Sequence, residues 1–271
     1  MNLLEYAEKT KRFSKLFADM PDVFPLVASG MSVKLLADRS QIRKSKYLDT
    51  TDLDVTVFVK KKVSVEQLRK VVSTVFERYD AACEDYTRYY NEQSEVKSRL
   101  LKRCPGKSVP TECPIDITRK QGEPFFDRHV YAFKKYLLKV NGEEVELMDV
   151  VVVYQPGMTE DHVNQRLSDS VGFPLPKISF LVHELTKMVH VDILGQSPFN
   201  KKRHPVSGKE SQKGLKDLHR LRFVLTKTRD TQFDRHRALV KHLLNVVAKK
   251  DYTDEKKIER LQQILKKNNF L

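Results

Sequence analysis

The sequence predicts an α+β chain in two parts: a mixed sheet flanked by helices over residues 1–165, then a helical, basic C-terminal region over 166–271. Three observations predict it. A short apolar run occupies 24–28 and a run rich in β-branched residues 50–59. An Asn141-Gly142 pair separates two further runs, 136–140 and 143–154, and Asn-Gly between alternating runs is the strongest short hairpin cue. After Pro156-Gly157 the apolar spacing turns helical.

Taken in order, Leu3, Ala7, Phe13, Leu16 and Phe17 predict an amphipathic opening helix that ends before Pro21 and Pro25. The first apolar strand runs into Ser29-Gly30-Met31-Ser32 and a polar, basic stretch to Tyr47. Next, Asp52-Leu-Asp-Val-Thr-Val-Phe-Val59 reads as a buried strand, closed by three lysines. Ser64 and Gln67 form a capping-box pattern, and Val65, Leu68, Val71, Val72, Val75, Phe76 and Tyr79 follow at helical spacing. Residues 81–126 are mixed, a helical continuation leading into a loop with Pro and Cys. The return strand of the hairpin carries Asp149. Ile178, Leu181, Val182, Leu185, Met188 and Val189 mark one later helix, and Ile258, Leu261, Ile264 and Leu265 another. No internal repeat or low-complexity linker separates the two parts, so they are expected to pack together.

With 271 residues, 40% of them apolar, the chain can bury a core without staples. Three cysteines, Cys83, Cys104 and Cys113, are odd in number and irregularly spaced, which points to a reducing, intracellular and cytoplasmic setting. Charges interrupt the first thirteen residues, leaving no signal-peptide core, and no run is apolar enough to span a bilayer. A soluble protein with no membrane partner is expected. The formal charge of +14 favours a polyanionic partner, nucleic acid or nucleotide phosphate. Much of the excess lies between Lys201 and Lys250, where fifteen Lys and Arg stand against Glu210, Asp217, Asp230 and Asp234, a net of +11.

Asp52 and Asp54 are two apart on a strand, so their carboxylates share a face. Adjacent anions repel, and a hard divalent cation such as Mg2+ (or Mn2+) resolves the conflict. A pair of such ions can activate an attacking hydroxyl and stabilise a departing pyrophosphate oxygen. A third carboxylate is expected from a neighbouring strand. Asp149, among Leu147, Met148, Val150 and Val151, is the first choice because an ionised Asp there needs a partner. Asp116, beside a Pro-rich loop, ranks second. The turn at Ser29, Gly30 and Ser32 can bring backbone N–H groups and hydroxyls to phosphate oxygens.

These stretches, Val27-Ala-Ser-Gly-Met-Ser-Val33, Thr51-Asp-Leu-Asp-Val-Thr-Val57 and Glu146-Leu-Met-Asp-Val-Val151, resemble the DNA polymerase beta-like nucleotidyltransferase superfamily. The resemblance covers about half the chain. It implies a nucleotidyltransferase-type mixed sheet in which Asp52 and Asp54 bind both metals, Asp149 assists as the third catalytic ligand, and the turn holds the triphosphate. Gly30 is followed by Met31 rather than Ser or Gly, a departure from that pattern.

The C-terminal half looks like the helical region of the poly(A) polymerase-type proteins of large DNA viruses, through Ile178-Ser-Phe-Leu-Val-His-Glu-Leu-Thr-Lys-Met188 and Lys213-Gly-Leu-Lys-Asp-Leu-His-Arg-Leu-Arg222. Lys213, Lys216 and Arg220 share a helix face suited to phosphates, with an Asp217 ion pair as the plainer alternative, and Lys187 adds a further nucleotide contact. Lys201, Lys202 and Arg203, with Arg220, are the expected nucleic-acid contacts. The implied activity is metal-dependent transfer of NMP from an NTP, ATP favoured, to an RNA 3′ end. The alternatives are a protein or small-molecule acceptor, or an inactive RNA-binding or assembly subunit. The chain is short for a complete polymerase of that sort, so either a protein partner or self-association, or a different acceptor, is expected.

Several other features point elsewhere. Residues 208–214 lack the order of a P-loop and read as a basic loop. Cys104, Cys113 and His129 lack zinc-site spacing and a fourth ligand. His183 and His190 read as core residues, and Tyr86, Tyr89 and Tyr90 as packing rather than base-stacking groups.

Overall fold

The computed structural model describes residues 3–39, 47–48, 50, 53–102, 116–122, 130–140, 143–155, 162–194 and 213–268. The fold is α+β, and the chain divides into two compact units: residues 1–28 with 51–175, and residues 29–50 with 176–271. The division falls ten residues beyond the expected 165, and the segment after the Ser29 turn belongs to the helical unit.

The first unit holds a five-stranded mixed sheet built from β1 (Val23–Val27), β2 (Asp54–Val59), β3 (Asp116–Gly122), β4 (Val130–Val140) and β5 (Glu143–Tyr154), in the order β1-β2-β5-β4-β3. Only β2 and β5 run parallel. β2 and β5, two of the three interior strands, are valine-rich, and Val57, Met148, Val150 and Val152 are fully buried on the face they turn to the core. β1 is an edge strand, which is why it tolerates Pro25. Its outward donors are already engaged or missing: Val23 N–H bonds Met20, Val27 N–H bonds Pro174, and Pro25 between them has none.

The helices of this unit are α1 (Leu3–Thr10), α3 (Val65–Lys102) and α4 (Gln165–Val171). The capping box forms as expected: Ser64 Oγ accepts from Gln67 N–H at 3.2 Å, and Gln67 Oε1 accepts from Ser64 N–H at 3.0 Å. Phe13, Phe17 and Tyr79 pack as a ring cluster with Phe173. Tyr86 and Tyr89 pack on Tyr6, the packing role expected of them. α4 closes at Gly172 in the left-handed region, φ 75°. A Cβ there would lie 1.8 Å from the Ala7 carbonyl oxygen, so both backbone and space demand glycine.

The second unit contains α2 (Ser29–Arg39), α5 (Ile178–Leu194), α6 (Lys213–Leu225), α7 (Asp234–Val247) and α8 (Asp254–Lys267). One apolar core joins Val33 and Ala37 of α2 to Leu185 and Val189 of α5, Leu218 and Leu221 of α6, Leu243 of α7 and Leu261 of α8. α8 carries Asp254 and Glu255 in its first turn and Lys266 and Lys267 in its last, matching the helix dipole at both ends. Among the described residues, no helix is long and apolar enough to cross a membrane.

Candidate metal centre

The parallel pairing of β2 with β5 sets Asp54 directly beside Asp149, and the antiparallel pairing of β5 with β4 sets Asp149 beside Lys135. In-register residues on neighbouring strands point to the same face. Lys135, Asp149 and Asp54 therefore form a row across three strands. Asp116 lies on edge strand β3, opposite Lys139, one strand beyond β4 and four residues along it from Lys135. At strand spacings of roughly 4.8 Å and rises of about 3.4 Å per residue, that position is far from Asp54, and Asp149 is the third-carboxylate position beside it.

A third acid enters through an irregularity. Met148, Val150 and Val152 face the core, and strict alternation would put Glu146 on their side of the sheet. The register instead shifts between Tyr136, opposite Met148, and Leu137, opposite Glu146, which leaves Leu147 without a partner of its own. Such a bulge adds one residue to a strand and resets which face the next side chain takes. Glu146 thereby joins Asp149. Lys135 Nζ donates to Glu146 Oε2 at 2.5 Å and lies 3.3 Å from Asp149 Oδ2. The bonded Glu146 carboxylate holds the Lys135 ammonium above its ordinary range, aided by Asp149 and opposed by partial burial.

One carboxylate oxygen from each of Asp54, Glu146 and Asp149 can be chosen so that all three lie within 4.8 Å of one another. Three hard oxygen donors suit Mg2+ or Mn2+ and lack the nitrogen and sulfur ligands that favour zinc. The donor set therefore fits the expected ion. Asp52 lies outside the described residues. Glu146 is the candidate ligand that reasoning from alternation passes over. An acid three residues before Asp149 signals a ligand only once the bulge is known.

In the helical unit, Gly30 stands in the first turn of α2, where unsatisfied N–H groups gather. A Cβ on Gly30 would lie 3.4 Å from the Arg220 guanidinium, so this first turn and that cation are neighbours. Two expectations change here. Arg220 is only 6% exposed and bonds Asp217 at 3.1 Å, the ion pair that was the plainer alternative, so it is not part of an exposed RNA-contacting face. Ser32 is 2% exposed, because Val33 beside it enters the core and the first turn is packed, so its hydroxyl is not presented at the surface. Lys187 is exposed on α5, Lys216 is half-buried on α6, and Ser29 and Lys213 begin α2 and α6.

His190 is buried as expected, with its ring nitrogens against the carbonyl oxygens of Thr186 and Asn268. His183 is exposed, its ring beside Phe233 and His236. Lys201, Lys202, Arg203, Cys104, Cys113, His129 and residues 208–212 lie outside the described residues. No protein-family model matches the chain, and no curated protein or solved structure matches it either.

Proposed function

We propose that the chain is a divalent-metal-dependent nucleotidyltransferase of the polymerase beta-like kind, transferring NMP from an NTP, ATP favoured, to the 3′ hydroxyl of RNA. The observation that carries this reading is the meeting of Asp54, Glu146 and Asp149 on one face of the sheet. Carboxylates gathered this closely repel one another, and the arrangement is favourable where cations hold them together.

In this reading Asp54, Asp149 and Glu146 would hold the ion, and Asp52 keeps the ligand role that the sequence resemblance implies. When bound, a divalent cation supplies Lewis-acid activation of the hydroxyl and neutralises charge on the departing phosphate oxygens. Lys135 fixes the orientations of Glu146 and Asp149 through its bonds to both. The transfer forms a bond from the 3′ oxygen to the α-phosphorus and breaks the bond from that phosphorus to the pyrophosphate oxygen. The hydroxyl proton passes to a carboxylate or water. Within the helical unit, the backbone N–H groups of the first turn of α2, at Ser29 and Gly30, are the groups suited to phosphate oxygens.

The test is Mg2+-dependent lengthening of single-stranded RNA with labelled NTPs. Asp54→Ala and Asp149→Ala are each expected to lower the rate beyond the roughly 100-fold seen when residues behind metal ligands are changed. Wild-type rates in these variants defeat the assignment. Pyrophosphate release without strand lengthening moves the acceptor to a protein or small molecule. Lys135 also favours a second reading, an RNA-binding or assembly subunit in which its ammonium stands where a metal would act. Titration calorimetry showing no Mg2+ binding by the intact chain selects that reading.

A further inference from the structure

The helical unit carries two cavities that the carboxylate chemistry does not use. One, of about 480 Å³, lies along α6 and α7, and the other, of about 460 Å³, lies between α7, the connection that follows it and the middle of α8. Lys241 and Asn245 line both, so the two cavities flank one ridge of α7, one on each side. That ridge continues the four-residue spacing of Arg237, Lys241 and Asn245, about 12 Å of helix at 1.5 Å per residue. No carboxylate lines either cavity, whereas Arg222, Arg237, Lys241, Lys249 and Arg260 do.

These cations differ in how they are held. Arg237 is fixed by Asp234 and by the carbonyls of Thr228 and Asp230. Arg222, Lys241 and Lys249 are exposed and make no ion pair with any described residue. The first cavity has an apolar floor of Leu225, Val240 and Leu244. The second is walled by the half-buried Tyr252 ring, which takes the Lys256 ammonium on one face at 4.4 Å.

From this we infer that the α6–α7–α8 groove binds single-stranded RNA, the cations following the phosphates while bases meet the apolar floor and the Tyr252 ring. Three exposed cations, Arg222, Lys241 and Lys249, with no ion pair to a described residue and no carboxylate in either lining, match a chain of phosphates. An apolar floor and an aromatic ring match unstacked bases, which a duplex keeps inside. The groove shares only the basic segment, and none of the residues, with the contacts expected from the sequence. That the bound strand is the acceptor of the transfer rests on the reading above; the groove does not.

Fluorescence anisotropy of the intact chain with labelled, unstructured RNA of about a dozen nucleotides, within known site sizes, tests the inference in EDTA, where metal binding plays no part. The Arg222→Glu, Lys241→Glu double variant is expected to bind at least about 10-fold more weakly, with the salt slope lowered by roughly 0.7 per lost cation. Tyr252→Ala should weaken binding about 5- to 100-fold, the range for one lost base stack, while Tyr252→Phe retains it. Both charged sites are exposed, so circular dichroism and melting of the double variant should match wild type. An Asp54→Asn, Asp149→Asn variant should bind RNA as wild type does. If strand lengthening fails and this binding persists, the groove stands and the catalytic reading falls. The inference is overturned by unchanged affinity in the double variant, by duplex RNA binding equally well, or by polyglutamate displacing the strand charge for charge, which would assign the groove to an acidic protein.

Discussion

Lys134 and Lys135 are neighbours on β4 with opposite fates. Lys134 turns toward α3, is 8% exposed and bonds Asp80 at 2.8 Å, while Tyr136 donates to the other oxygen of Asp80 at 2.9 Å. Burial pushes the Tyr136 hydroxyl far above its ordinary range, so it stays a donor. One acid meets one base and one hydroxyl, and that network is balanced. On the other face, Lys135 bonds two of three gathered carboxylates. The same residue types on one strand thus produce a closed structural pair and an open cluster with acids in excess among its described members. Balance marks the face that holds the sheet to its helix, and imbalance marks the face proposed to take a cation.

The largest separation of the two faces comes from Lys134→Met, which leaves Asp80 without its charged donor. It is expected to cost roughly 1.5–3 kcal/mol, the range for a hydrogen bond to a charged group, in urea unfolding, and Mg2+ should not restore it. Lys135→Met should cost less, about 1 kcal/mol or under, as for a partly exposed pair, and only in EDTA. Added Mg2+ should recover the loss, because a stronger cation replaces the ammonium. Equal responses of the two variants to Mg2+ would erase the distinction between the faces.

The smallest effect concerns acid. Arg78, also on α3, bonds Asp19 and holds its carboxyl down at about 2. A carboxylate whose folded pKa is depressed adds stability above its unfolded value, here 3.8, and loses it as the pH falls toward the folded one. Acid unfolding of wild type should therefore show an added dependence between about pH 3.8 and 2 that Asp19→Asn lacks: the small difference between the two is fully present above 3.8 and vanishes as the pH falls toward 2.

Much of the sheet was legible because β1 is an apolar run and β2 a β-branched one, and the β4–β5 hairpin because Asn141-Gly142 divides its strands. β3 was not. Its residues, Asp-Ile-Thr-Arg-Lys-Gln-Gly, carry a single large apolar side chain, and it forms by pairing with β4 alone. Asp149 was legible as an acid stranded among apolar neighbours. Glu146 and Lys135 were not, since one depends on a bulge and the other on cross-strand register, both set by distant pairing. Val33 and Ala37 carry an apolar pattern for α2, but the local pattern does not say which core they join. The groove was hidden for the same reason: Arg222 on α6, Lys241 on α7 and Tyr252 in the connection to α8 come from separate segments that only packing assembles.

The proline in β1 bears on how copies of this chain can associate. Val23 and Val27 spend their outward N–H groups on Met20 and Pro174, and Pro25 between them has none to offer. A strand arriving at that border from another molecule would find no donors to zip against. Continuous sheets built by stacking protomers at β1 are therefore blocked without any charged gatekeeper, by backbone chemistry alone.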